Sequence, residues 1–539
     1  MSVWDTIGPR RTFADLVDRR TLGTVAFAAT TLVALAVFNQ LLARAYWTPG
    51  SWRVYAPLAA GVVGAALFAT VRYSAFTPLL KASLRASAAG LLVMLLLERP
   101  DFTLADAQTA ARAAEYVNLG YLLALACAAF ALFRPAFIVP TALYIISTRH
   151  LVQAISGLPM SVLDIRYMID MALYLTLFGL GVVKLGPRLH PWLASPDRQD
   201  AVVGAAFGLH LANYFWSGLA KVLIGPTPWY WIVNNKTFNQ IPYTIESGIA
   251  PLGHLPWLAD AAYQVLQFAC VPLNAVIVCV QLLAIVCVFR VGWLKVASLL
   301  FDALHLGIYV FGGLFFWPWI WNNITILWAA EKAKDGLSRS TKVACVAAIL
   351  LGAPALKLNE AAWLAWFDVA DARQVYFEAV TKDGRGVKAP SAYFLSHAYS
   401  VSHAYMGSQP VAGQYAYTML ASADSVERNK TSGTCPVPDA PLAVETPAQR
   451  TERQARLSRL LRAHHQKMLG REAALGLGSY YLHLHHHPSN PFLYSEFNTL
   501  SLRDVVGYRL VLESVCHRLD QGRVVKTVRA RNAEYFDVR

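Results

Sequence analysis

The sequence is short of charge. Only 15% of its 539 residues are Asp, Glu, Lys or Arg, while 56% are hydrophobic. A soluble chain carries about a quarter charged residues. That deficit, together with many long apolar runs, excludes an ordinary soluble enzyme and leaves a helical membrane protein. Acidic residues are scarcer than basic ones: 33 against 47, for a net charge of +14. No compact basic domain carries the excess, so a nucleic-acid partner is not expected. In a membrane chain such an excess sets orientation and contact with the lipid bilayer. Cysteine is sparse too, with seven residues and no CxxC or zinc spacing. Cys127, Cys270, Cys279, Cys287 and Cys345 lie in apolar segments, as small core residues do. Cys435 and Cys516 lie in the tail and would pair only in an oxidising compartment. There is no Walker loop, no nucleotide-binding GxGxxG and no GxSxG elbow. The lack of a visible inverted repeat counts against a transporter.

What is present starts with Arg10, Arg11, Arg19 and Arg20, ahead of an apolar run at about 21–42. The run is too long for a signal-peptide core, so it reads as a retained helix with a cytoplasmic N-terminus. Further apolar spans fall at about 54–71, 83–97, 117–133, 136–148, 162–184, 201–224, 260–289, 294–316 and 341–357. The stretch 136–148 is short and carries Pro140 just after Pro135, which predicts a re-entrant or half helix. Residues 234–257, broken by Pro242, Pro251 and Pro256, read as a surface connection or a lid. The expected fold is mainly α: a polytopic transmembrane bundle of about eight to ten helices over 21–357, after a cytoplasmic segment 1–20. An extramembrane α+β domain follows over 358–539. Lys332, Lys334, Arg339 and Lys342 hold the last loop in the cytoplasm, so the final crossing sends this tail to the non-cytoplasmic side. The corresponding location is a bacterial inner membrane or its equivalent.

In the tail, 373–381 and 387–394 read as a hairpin about Asp383-Gly384. Thr446-Pro447 starts a helix to Leu469 bearing Arg450, Arg453, Arg456, Arg459 and Arg462, suited to anionic headgroups or an acidic partner. A second helix is expected at 502–519. His464-His465 and the run His483, His485, His486 and His487 lack an acidic co-ligand, and no metal is expected.

The polar residues of the apolar stretch 207–231 carry the functional signal. At about 100° per residue, His210, Tyr214, Ser217 and Lys221 fall on one stripe, with Asn213 at its edge. An intramembrane ammonium faces a bundle interior or a wet cavity unless it snorkels to the headgroups. Asp302, His305 and Tyr309 share a face of a later helix, where Asp302 would orient the imidazole. Arg166 and Asp170 are spaced for a structural ion pair. Two classes stay open: an enzyme built on this stripe, or a non-catalytic scaffold or transporter with Asp164, Arg166, Asp170 and Lys221 along a pathway.

The run YFWSGLAKVLIGPTPWYW and the later LHLGIYVFGGLFFWPWI resemble the HTTM (horizontally transferred transmembrane) domain, which vitamin K-dependent gamma-carboxylase shares. The match runs through Gly218, Lys221 and Trp229, and through His305, Pro318 and Trp319, with His150 in STRHLVQAISG opposite a family histidine. The resemblance implies catalytic roles for Lys221, His305 and His150. It implies Lys221 as the general base on reduced vitamin K or a related quinol, coupled to carboxylation of a peptide or protein substrate at the C-terminal domain. His210, Asn213, Tyr214, Ser217, Asp302 and Tyr309 would line the substrate site. A single lysine stands here where the carboxylase has a pair, and LIGPTPW replaces the acidic residues that follow.

Overall fold

The computed structural model describes residues 18–46, 56–156, 158, 163–333, 336–352, 355–358, 365–402, 420–421, 423–424, 426–427, 446–482 and 488–539. The protein is mostly helical, with a C-terminal sheet region. Helices α1 (Arg19–Tyr46), α2 (Ala56–Phe68), α3 (Pro78–Leu97), α4 (Ala107–Ala131), α5 (Ile138–Ser156) and α6 (Leu163–Leu180) form the first half of a bundle. Then come α7 (Pro196–Leu223), the short α8 (Tyr230–Asn234) and α9 (Gln240–Glu246), and the broken pair α10 (Pro256–Phe268) and α11 (Cys270–Leu282). Helices α12 (Val291–Gly312), α13 (Trp317–Ala330) and α14 (Arg339–Gly352) complete it.

Among the described residues, five helices are long and apolar enough to cross a membrane, or six if the pair bent by 76° counts as one span. The expectation of eight to ten spans exceeds this count, because several of the helices at those positions are short or polar. Helices α13 and α14 have 14 residues each, and α7 opens on Pro-Asp-Arg-Gln-Asp before its polar stripe. The half helix expected at 136–148 is instead the 19-residue α5. Pro140 falls in its first turn, where a missing N–H breaks no helical bond. The span expected at 294–316 ends earlier. Gly313, at φ 66°, caps α12, and a Cβ there would meet Ile249 at 2.6 Å. Pro318 then starts α13.

Helix α7 is the axis of the bundle, buried along nearly its whole length. Gly204 and Gly208 let it lie against α14: a Cβ at Gly204 would be 2.1 Å from the Thr341 carbonyl oxygen, and one at Gly208 2.4 Å from that of Cys345. Small residues spaced in this way permit backbone approach where apolar burial gives no driving force. Asp170 pairs with Arg166 at 3.5 Å and accepts from Asn39 Nδ2 at 3.0 Å, so the expected ion pair ties α6 to α1. The Asp164 side chain lies outside the described residues.

Contacts mark two ends of the bundle. At one, Arg339 donates to Asp18 at 2.8 Å and the Thr77 N–H to Gln199 at 2.8 Å. The tail packs on the other. There, β1 (Phe367–Asp368) pairs with β4 (Leu420–Ala421), and β3 (Gly386–Ala389), β2 (Asp371–Thr381), β5 (Val505–Asp520) and β6 (Arg523–Asp537) form an antiparallel sheet in the order β3-β2-β5-β6. The expected second helix at 502–519 is therefore strand β5. Its Val-rich apolar run satisfies either pattern locally, and hydrogen bonding to β2 and β6 decides for a strand. The hairpin strand expected at 387–394 ends at Ala389, after which Ser391–His397 coils into a 3-10 turn. Helix α15 (Pro447–Leu475) has the capping box of Thr446 and Gln449 and packs Leu457, Leu461 and Met468 into the tail core. Cys516 is disulfide-bonded; Cys435 and His483, His485, His486 and His487 lie outside the described residues. His464 and His465 are buried in the core of the tail, His464 Nε2 donating to the Tyr393 carbonyl at 3.0 Å and its Nδ1 lying 2.9 Å from Thr103 Oγ1.

The tail is bolted to residues 98–106. Asp101 takes Lys467 and Arg471, the latter at 2.6 Å, and its backbone exchanges two 2.9 Å bonds with Ser396. Residues 234–257, expected over the surface, are partly buried under the tail. The Asn235 side chain, at 0% exposure, accepts from the Asp368 N–H through Oδ1 and donates to the Asp368 carboxylate through Nδ2, and Lys388 donates to the Glu246 carbonyl.

Candidate functional site

The polar stripe of α7 resolves into two groups. The upper one is a chain of hydrogen bonds across α7, α13 and α12. Asn322 Nδ2 lies 3.3 Å from His210 Nδ1, and His210 Nε2 lies 2.8 Å from Asn323 Oδ1. Asn323 Nδ2 donates to Tyr214 Oη at 2.9 Å and to Asp302 Oδ1 at 2.8 Å. Tyr214 Oη in turn is 3.4 Å from His305 Nδ1. The two amides leave one consistent arrangement: His210 is neutral, protonated at Nε2, and accepts at Nδ1. Donors then run in one direction from Asn322 to His210, Asn323, Tyr214 and His305. The last link is long for an O–H···N bond and is the weakest of the four.

Aromatic rings clamp this chain. Tyr214 stacks on Phe301 with centroids 3.9 Å apart and planes 8° apart. Trp319 meets His210, Tyr214 and His305 edge-on, with His305 at 5.3 Å, and Phe316 packs against both His305 and Trp319, at 5.3 Å and 5.9 Å. The Trp319 indole N–H is buried and has no hydrogen-bond partner among the described residues, as is Asn213 Oδ1.

The lower group surrounds Lys221, seven residues further and so about 10 Å along the helix from Tyr214. Lys221 is 3% exposed. Its Nζ donates to the Ser217 carbonyl at 3.2 Å and sits over two indoles, Trp366 at 5.0 Å and Trp231 at 5.3 Å from the ring centroids. Two indole faces are the best uncharged hosts for an ammonium. Asp368 of β1 is the carboxylate whose charge acts on it. Asp368 is itself 1% exposed and accepts from Asn235 Nδ2 and Gln240 Nε2, both at 3.1 Å. Burial pushes its acid up to about 6, against those hydrogen bonds, one from Trp366 and the Lys221 charge.

The structure thus places the expected residues unevenly. It brings His210, Tyr214, Asp302 and His305 into one network. The spacing predicted that Asp302 would orient His305; in the structure Asp302 Oδ1 accepts from Asn323 of α13, and it is Tyr214 Oη that lies beside His305 Nδ1. Lys221 and Ser217 belong to the second group. Asn213 bonds the carbonyls of Leu209 and His210 on its own helix. Tyr309, half-buried, packs on Phe315 outside the chain. His150 lies on α5, where the Arg166 charge acts on it. Sequence reasoning missed Asn322, Asn323, Trp366 and Asp368. The Asn-Asn pair inside WPWIWNNITI was a visible signal, since paired amides in an apolar run need partners. Nothing marked Asp368 among the tail carboxylates. Among the described residues no group of His, Cys, Asp and Glu is arranged to hold a metal.

Comparison of the chain with protein-family models, with curated proteins and with solved structures returns no significant match.

Proposed function

We propose that this protein is an integral membrane enzyme that uses Lys221 as a general base on a lipid-soluble hydroxyl compound of the quinol class. The observation that carries the reading is the buried Lys221 amine between two indole faces with a buried carboxylate, Asp368, acting on it. A quinol ring fits such an aromatic setting. Its O–H proton passes to the amine, leaving a quinolate and an ammonium, and Asp368 stabilises the ammonium that forms. The chain from Asn322 to His305 holds the neighbouring helices in register and presents a histidine at its end. Coupling to carboxylation of a peptide glutamate rests on the resemblance to vitamin K-dependent gamma-carboxylase. The bundle lies in the bilayer as a polytopic domain, with the tail outside it on the non-cytoplasmic side. The disulfide at Cys516 supports that side, since such bonds persist in oxidising compartments.

One observation favours a second reading. Trp366, just before the first strand of the tail, has its ring centroid 5.0 Å from Lys221 Nζ and its carbonyl accepts from the Trp231 indole, so the ammonium also latches the tail to α7. Lys221→Arg separates the two. Arginine keeps the cation but does not release its proton. In purified protein supplied with reduced quinol, labelled CO2 and a glutamate peptide, the base reading expects a folded variant with no quinol turnover. A variant that keeps full turnover refutes the base and leaves the latch.

A further inference from the structure

The arginines of α15 are not used alike. Arg453 pairs with Glu534 at 2.7 Å, and Arg462 Nε donates to the Asp537 carbonyl at 3.1 Å. Further along, Lys467 and Arg471 hold Asp101. Between them, Arg456 and Arg459 are spaced three apart, on one side of the helix. Both line a cavity of about 330 Å³ between α15, the residues preceding α4 and the end of α5. The Arg456 Nε–H is buried and has no hydrogen-bond partner among the described residues. A buried guanidinium donor left unsatisfied is costly and calls for an acceptor.

The cavity wall is of two kinds. Ile155 and Leu460 are apolar, and the two guanidinium groups supply the charge. Asp106 is also on the wall; its carboxylate caps α4 by accepting from the Thr109 N–H and stays charged, offsetting one of the two guanidinium charges. Helix α4 provides one of the spans apolar enough to cross a membrane, beginning at Gln108. The cavity therefore sits level with the end of that span, where headgroups lie. Guanidinium groups match phosphate oxygens in a planar, two-pronged geometry. Basic pockets beside transmembrane helices are a known setting for lipid headgroups.

We propose that this cavity binds the phosphodiester headgroup of an anionic membrane lipid, gripped by Arg456 and Arg459, with Ile155 and Leu460 against its glycerol and upper chains. The site is independent of the Lys221 chemistry. The test uses the full-length protein in detergent, with native mass spectrometry of lipid retention and thermal melting during titration with phosphatidylglycerol, phosphatidylcholine or inorganic phosphate. Wild type should retain phosphatidylglycerol at least 10-fold more strongly than phosphatidylcholine and should melt higher with it. Arg456→Gln/Arg459→Gln should melt like wild type without lipid and lose that preference, whereas Arg462→Gln should keep it. Equal retention of the two lipids, a preference surviving in the double variant, or an equal loss in Arg462→Gln would overturn the site. Displacement of phosphatidylglycerol by millimolar inorganic phosphate would overturn the lipid assignment in favour of a free anion.

Discussion

Asn323 is the residue whose replacement should report most directly on the buried chain. It is 0% exposed and spans three helices, accepting from His210 and donating to Tyr214 and Asp302. Asn323→Leu keeps the branched outline of the side chain and removes all three bonds. Two neutral bonds at about 1 kcal/mol each and one to a carboxylate at about 1.5–3 kcal/mol give a loss of about 3.5–5 kcal/mol on the scale of water-soluble proteins. Interhelical bonds in membranes average about 0.6 kcal/mol, which sets the lower limit near 2 kcal/mol. The loss should therefore fall at about 2–5 kcal/mol, read from reversible unfolding in mixed micelles. A cycle with Asp302→Asn sharpens the test. Asn323 and Asp302 share a bond, so the double variant should lose less than the sum of the singles by about 0.5–3 kcal/mol. Wild-type stability in Asn323→Leu, or strict additivity with Asp302→Asn, would refute the network. Asn323→Asp should be worse than Leu, because it sets a second acceptor against Asp302 and Tyr214.

Two further outcomes follow from packing and burial. Gly204→Val should abolish folded protein or cost more than 3 kcal/mol, since its Cβ meets backbone at 2.1 Å and backbone cannot rotate aside; size-exclusion yield checks it, and a well-behaved variant would mean α7 and α14 are not in that contact. Burial holds His397 and His517 down at about 4 and His464 at about 3, below the ordinary value of 6.5. A folded-state value below the unfolded one means the fold favours the neutral ring, so this stability is present above about pH 6.5 and is lost as pH falls towards 4. Melting temperature should drop across that window, and a flat profile would show that these rings are not buried neutral.

The sequence by itself determined the elements whose signals are local. Low charge and apolar runs announced the helical bundle. The hydroxyl and proline of Thr446-Pro447 announced the start of α15, and Asp383-Gly384 the β2–β3 turn, where the structure has Gly384 at a positive φ. The periodicity of α7 put His210, Tyr214, Ser217 and Lys221 on one stripe, because a helix face is fixed by spacing alone. Only the tertiary structure decided what that stripe touches. His210 meets Asn323 across 113 residues, and Asn235 meets Asp368 across 133. No periodicity links positions so far apart; the choice belongs to whichever helix packs closest. Strand β5 gives the same lesson for secondary structure. Its apolar run suits a helix or a strand equally, and the free backbone groups of β2 and β6 on either side made it a strand. The stripe likewise divides between Asn323 and Asp368 because α13 and the tail cover different turns of α7, and burying each polar group beside a partner costs less than leaving it alone.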